Sequence, residues 1–260
     1  MKNIPAVIYV EYLKIRKSKI LLATIIIFIL IPLMMGLMMF VVRNPEIAGK
    51  LGMIGTKAKL FGENDWTGYF ALLSQVMASV GLIGYGFVTS WVFGREHIDR
   101  TMKDLLALPV NRSYIVHAKT VIAFLWCLLL AVILYVVGIS MGLILNLPGW
   151  HASSFWDFSI GYFTASMLTL FLCSPVSYIA GYSQGIIAPL GFVLLTMILA
   201  QFTGLIGLGP YFPWAIPGLF SVATDATGLQ LRIVSYVILV LTFLLGYWAT
   251  VRWWQHADHH

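Results

Sequence analysis

Six apolar runs constrain this chain more than anything else in it: approximately residues 20–42, 69–93, 120–145, 160–182, 186–208 and 233–251. At about 1.5 Å of rise per residue, each is long enough to cross a hydrocarbon core of roughly 30 Å as a helix. Lipid offers nothing to a bare amide, so a spanning segment must satisfy its own backbone, and a helix does this within one run. With 60% of its residues hydrophobic and 10% charged, the chain has too little polar surface to coat a soluble core of this size. Residues 1–260 therefore read as a single all-α integral membrane domain of six transmembrane helices. The first run is too long for a signal-peptide core of roughly 7–15 residues and no small-residue cleavage site follows it, so it reads as a retained span. Cys127 and Cys173 both lie inside apolar runs, which argues against a disulfide framework.

Charge sets the orientation. With both termini on one side, that side holds Lys2, Lys14, Arg16, Lys17, Lys19, Arg95, Arg100, Lys103, Arg112, Lys119 and Arg252, while the other holds Arg43, Lys50, Lys57, Lys59 and Arg232. The excess places both termini in the cytosol of a cell-membrane protein. The net charge of +6 flanks spans rather than forming an exposed stripe, which excludes nucleic acid as the expected partner. Ahead of the first span, residues 4–19 place Ile4, Val7, Ile8, Tyr12 and Ile15 at helical spacing, with Glu11, Lys14, Lys17 and Ser18 on the other side and Arg16 beside them. This predicts a helix lying in the membrane interface, its basic face towards lipid headgroups or a partner.

The spans carry small residues four apart: Gly86, Ser90 and Gly94, then Gly138 and Gly142, then Gly161 and Ala165. Such stripes allow close helix approach, either within one subunit or between two. Pro32, Pro175 and Pro189 should bend or break their spans. No Asp, Glu, Lys, Arg or His lies deep within any run. Proton relays and ion-coupled carriers need such groups, so energy must come from elsewhere or transport must be passive. A pathway through the domain would be lined by Ser74, Gln75, Ser79, Thr169, Ser177, Thr196 and Gln201 together with aromatic residues.

Two motifs carry less than they suggest. Gly181-Tyr-Ser183-Gln-Gly185 fits a hydrolase nucleophile pattern, but it joins two apolar helices at the cytosolic face rather than a strand to a helix, and the only later acids are Asp225, expected outside, and Asp258 in the tail. His256-Ala-Asp-His259-His260 reads as a solvated tail rather than a metal site. No G-x-x-x-x-G-K-[ST] loop occurs, so no ATP site is expected on this chain. No catalytic, cofactor or metal residues emerge.

The charged segment 94–119 separates the second and third spans. Residues 101–108 suit a short helix with Met102, Leu105 and Leu108 on one face and Lys103 and Asp104 elsewhere, ended by Pro109. Asn111 or Ser113 is placed to cap the next helix. A stiff helix held at a membrane surface can transmit a push.

Arg95-Glu96-His97, Thr101-Met-Lys103, Leu105-Leu106-x-Leu108-Pro109-Val110-x-Arg112 and the distal Lys119 resemble the loop between spans two and three of type-2 ABC transporter permeases. The N-terminal helix is similar to that family's elbow helix. Tyr211-Phe-Pro213-Trp214-Ala-Ile-Pro217 resembles the Pro-rich element before the last span in the bacitracin-resistance and lantibiotic-immunity branch. The resemblance implies a coupling helix in which Thr101, Met102, Lys103, Asp104, Leu105, Leu106 and Leu108 meet a separate ATPase, which binds ATP and Mg. It also implies a cytosolic gate at Arg95 and Glu96, and a working unit of two permeases, identical or related, with two ATPases. Export of an amphipathic compound, such as a peptide antibiotic or lipid-linked molecule, is the expected function. The alternatives are an ATP-independent channel or carrier and, more remotely, a membrane enzyme. The family commonly carries glycine where Arg100 stands, so the turn before Thr101 is expected to differ.

Overall fold

The computed structural model describes residues 4–44, 65–102, 105, 110–221 and 231–256. Its helices are α1 (Ile4–Arg16), α2 (Lys19–Arg43), α3 (Trp66–Ile98), α4 (Arg112–Ile144), α5 (Ala152–Phe171), α6 (Ser174–Tyr182), α7 (Ile187–Leu205), α8 (Ile216–Ser221) and α9 (Ile233–His256), with short 3₁₀ turns at Gly209–Tyr211 and Pro213–Ala215. Among the described residues, six segments are long and apolar enough to span a membrane, α5 and α6 together forming one of them. The chain is a multi-pass membrane protein.

Local chemistry explains the helix ends. Ser18 accepts from the Ile20 amide at 3.1 Å, Asp65 from Gly68 at 2.8 Å and Asn111 from Ser113 at 3.0 Å, each satisfying an orphan donor of a first turn. Asn111, not Ser113, is thus the cap of α4. Both α3 and α4 run to 33 residues, about 50 Å, well beyond a bilayer core. They absorb residues 95–98 and 112–119, so much of the expected loop is helix that prolongs two spans.

Only one of the three prolines breaks its span. Pro32 stays within the unbroken α2, and Pro189 sits in the first turn of α7, where its missing N–H costs no hydrogen bond. Pro175 opens α6 just after the interruption at Leu172–Cys173. Beyond it, α6 lies along α9. A Cβ at Gly246 would stand 2.6 Å from the Pro175 nitrogen, Ser174 Oγ donates to the Phe243 carbonyl at 2.7 Å, and Ser177 and Thr250 share a 2.8 Å bond. Interhelical bonds of this kind contribute about 0.6 kcal/mol each in a membrane.

The small-residue stripes pack within the subunit. A Cβ at Gly86 would meet Val193 of α7 at 2.6 Å, at Gly94 the Gly185 carbonyl oxygen at 2.6 Å, and at Gly138 the Leu73 side chain at 2.7 Å. Gly161 departs from the pattern, with nothing within 4 Å of its would-be Cβ.

One end of the bundle holds α1, the α3–α4 connection and the close of α9; it is the charged end. At the far end, Trp66, Phe70, Trp150, Phe155 and Phe158 form an aromatic cluster, with the Phe70 and Phe158 rings stacked at 4.1 Å. Here the segment from Gly209 to Ser221 folds back into the bundle, burying Ala215, Ile216 and Pro217 against α3, α5 and α7.

Candidate functional site

At the charged end, charges from three helices converge. Lys119 of α4 is fully buried, and Glu96 of α3 and Glu11 of α1 are 2% and 3% exposed. The Lys119 ammonium donates to Glu96 Oε1 at 2.7 Å, to the Val92 carbonyl at 2.8 Å and to Glu11 Oε2 at 3.4 Å, which occupies its three donors. Lys14 bridges Glu11 at 2.6 Å and Glu96 at 3.3 Å, and Arg95 Nε lies 3.6 Å from Glu96 Oε1. Glu96 Oε2 is buried with no hydrogen-bond partner among the described residues. The fully buried Trp254 of α9 places its ring 5.9 Å from the Lys119 nitrogen, adding a cation–π contact from a fourth helix.

The apolar face of α1 packs inwards at Val7, Ile8 and Ile15 as expected, but Glu11, Lys14 and Tyr12 depart from the expected faces. The helix turns Glu11 and Ile15 inwards, with Lys14 part-buried beside them, while Tyr12 is exposed. Arg16 and Lys17 remain exposed. The buried Lys119 ammonium explains why Glu11 turns inwards, because an ion in that position needs carboxylate partners. Charge pattern alone places Lys119 in a surface loop. Its place immediately before an apolar run was the signal that it needed a buried partner. Trp254 left no signal beyond its bulk.

Neighbouring contacts hold the cluster rigid. Arg95 lies 4.8 Å over the Trp91 ring, which packs edge-on against Trp126. Arg112, at the start of α4, donates to the Trp254 and Gln255 carbonyls at 3.4 and 3.5 Å, placing a cation at the negative end of α9. Gln255 donates to Ser113 Oγ at 2.6 Å.

From the cluster the chain leaves through a tight turn. The Thr101 amide donates to the Glu96 carbonyl at 3.0 Å and the Arg100 amide to His97 at 3.3 Å, the paired bonds of a Schellman cap. Arg100 carries the left-handed φ of +56° that such a cap requires. The turn therefore keeps the conformation that glycine favours, although arginine occupies it. Thr101 is exposed, Met102 is buried in the core and Leu105 packs against it, with the Leu105 amide bonded to the Thr101 carbonyl at 3.0 Å. Lys103, Asp104, Leu106 and Leu108 lie outside the described residues.

The polar residues of the spans divide into two groups. Gln75 and Ser79 of α3, Gln201 of α7 and Trp214 of the folded-back segment line a groove of about 620 Å³ that is otherwise mostly apolar. The Trp214 indole N–H is buried there without a hydrogen-bond partner among the described residues. The others do not line this groove. Thr169 and Thr196 bond the carbonyls of Ala165 and Val193 on their own helices, Ser177 is tied to Thr250, and Ser74 is buried. Ser183 of the hydrolase-like pentapeptide bonds the Ile179 carbonyl at 2.7 Å in an exposed helix end.

Comparison with known proteins places these features in context. The family described as ABC-2 family transporter protein matches residues 7–202, a span that takes in the charge cluster except Trp254 and all of the groove except the folded-back segment and the end of α7. The bacitracin transport permease protein BCRB of Bacillus licheniformis is 24% identical over 189 residues, covering 71% of this chain and 88% of that relative. No solved structure matches the chain.

Proposed function

The chain belongs to the ABC-2 transporter family and is a membrane subunit of an ABC transporter; from that premise we propose that it is the permease of an ATP-driven exporter of amphipathic compounds. Separate ATPase subunits bind ATP and Mg, since the sequence has no phosphate-binding loop. The basic excess puts the charged end in the cytosol, where the ATPases dock on the segment 101–108. Two permeases and two ATPases form the working unit.

The observation that carries this reading is the buried junction of Glu11, Glu96 and Lys119. It joins α1, α3 and α4 through charges that cannot be separated cheaply, so these elements move as one body. Met102 and Leu105, turned into the core, anchor the coupling segment to that body, and Thr101 faces outwards. A push from the ATPase is thereby delivered to two spans and to the interfacial helix together. Arg95 and Glu96 hold this lever at the cytosolic gate.

The groove at Gln75, Ser79 and Gln201 supplies the path. Uncharged hydrogen-bonding groups on an apolar wall suit a molecule with a polar face and a hydrocarbon face. The named activity of the Bacillus licheniformis relative, bacitracin transport, supports a peptide antibiotic as cargo.

Purification from the native host in mild detergent tests the assignment. An ATPase chain with a phosphate-binding loop should co-purify, and inverted vesicles containing the complex should accumulate bacitracin only with ATP. A preparation lacking such a chain, whose transport survives ATP depletion, overturns it.

A further inference from the structure

Directly inward of the charge cluster lies a second, smaller cavity of about 170 Å³, bounded by α3, α4, the α5–α6 interruption and α9. Its origin is geometric. The α5 half of the broken span is fastened to α3 by the 2.7 Å bond between Tyr85 and Ser166, and to α4 by Tyr162, which donates to the Ala131 carbonyl at 2.9 Å. The α6 half is fastened to α9 through Gly246, Ser174 and Ser177. The helix is interrupted at Leu172–Cys173, and the facing side chains of α4, Ala123 and Cys127, are small and leave the space beside it unfilled.

The cavity opens sideways. Phe124 of α4, Phe171 of α5, and Phe243 and Tyr247 of α9 form a partly exposed rim, and the adjoining Val121, Leu125, Val240 and Leu244 are exposed on the outer surface of the bundle. Phe124 lies about 6 Å inside the third apolar run and Phe243 about 12 Å inside the last, at 1.5 Å per residue. The mouth therefore meets the hydrocarbon of the bilayer, not the headgroups. Four hydroxyls on its wall are engaged: Thr120 bonds the Val116 carbonyl, Ser174 the Phe243 carbonyl, Ser177 the Thr250 side chain and Tyr247 the His117 ring. Water would find few partners inside. An apolar cavity near 150 Å³ stays dry and accepts a molecule the size of benzene.

We propose that this cavity seats the end of one acyl chain of a bilayer phospholipid, inserted between α4 and α9. The chain fills the wedge between the two fastened halves of the broken span and replaces packing that the protein's own side chains leave unmade. The proposal does not depend on the nature of the cargo.

The test uses the full chain in phosphatidylcholine nanodiscs doped with a phosphatidylcholine that carries a diazirine near its acyl terminus. After photolysis, peptide mass spectrometry should place adducts at Phe124, Cys127, Phe171 and Phe243 several-fold above those at Leu129 and Leu241, which are exposed on α4 and α9 away from the mouth. Ala123→Phe, which fills the cavity, should lower Cys127 adducts several-fold and leave Leu129 unchanged; Cys127→Leu, read at Phe243, serves the same purpose if that variant does not fold. Equal labelling of rim and control positions, or undiminished labelling in the folded filled variant, overturns the proposal. So does displacement of the adducts by bacitracin but not by unlabelled phospholipid, which would make the occupant cargo.

Discussion

Lys119 Nζ stands 2.7 Å from Glu96 Oε1, with the two side chains 0% and 2% exposed, and this pair ties the second and third spans together where the chain between them emerges. Around it α1 contributes Glu11 and Lys14 and the last span contributes Trp254. Each ion keeps weaker partners when the other is removed, Glu11 for Lys119 and Lys14 and Arg95 for Glu96, so a single loss costs less than the about 3–5 kcal/mol of a fully uncompensated buried ion, and replacing both by neutral groups costs less again. Lys119→Met and Glu96→Gln should each lower the unfolding temperature in detergent. The double variant should lie well above the sum of the two losses, and strict additivity would show that the pair is not coupled.

Arg100 holds a φ of +56°, where an L side chain is strained by roughly 1–2 kcal/mol. Arg100→Gly should therefore stabilise the protein by up to about 1 kcal/mol after allowing for the added freedom of the unfolded chain. Arg100→Val should destabilise it. Thermal melts of the two variants, compared with the parent, decide the matter.

Gly246 is fixed by contact rather than by backbone angle. A Cβ there would stand 2.6 Å from the Pro175 nitrogen and 2.8 Å from the Ser174 carbonyl carbon, atoms that cannot swing away. Gly246→Leu should cost about 1–3 kcal/mol by overpacking. Gly191→Ala is the control: nothing lies within 4 Å, so its better helix propensity should leave stability unchanged or raised by about 1 kcal/mol.

The proposed coupling role predicts that hydrolysis can be separated from transport. Leu105→Asp and Glu96→Ala should both insert and assemble with the ATPase, yet allow ATP hydrolysis to continue while export falls to a small fraction of the parent rate. Unaltered export per ATP in both variants would remove the segment 101–108 as the lever.

In the groove, Gln75→Leu combined with Gln201→Leu removes two hydrogen-bonding groups from an otherwise mostly apolar wall. Export of bacitracin in vesicles should show a several-fold higher KM with the basal ATPase rate unchanged. An unchanged KM would place the cargo path elsewhere.

Much of the architecture was legible beforehand because lipid leaves the backbone so few options. Six apolar runs had to be helices, and their length alone made them spans. Pro175 marked the one real break. Pro189 does not mark a break because its missing N–H falls in a first turn, a boundary that composition does not define, and Pro32 lies inside α2, which continues through it. The small-residue stripes indicated close packing but not its direction. Leu73 and Val193 place that packing within the subunit.

The charged segment shows the division most clearly. Its residue order alone was enough to indicate an ABC permease and to single out Glu96. The identity of the groups that meet Glu96 depended on side chains far apart in the chain, from α1 and α4, being brought to one point. Glu11 looked like part of a surface face because one-dimensional periodicity averages over neighbours and cannot register a single buried counter-ion. The same holds for the polar pathway. Sequence identified the uncharged hydrogen-bonding residues of the spans, but only the packing of α3, α7 and the folded-back segment separated those that line a groove from those bonded to their own helix. Sequence thus determined which segments cross the membrane, since hydrophobicity and length act locally. Tertiary structure decided which polar groups meet, since that is fixed by helix rotation and close approach.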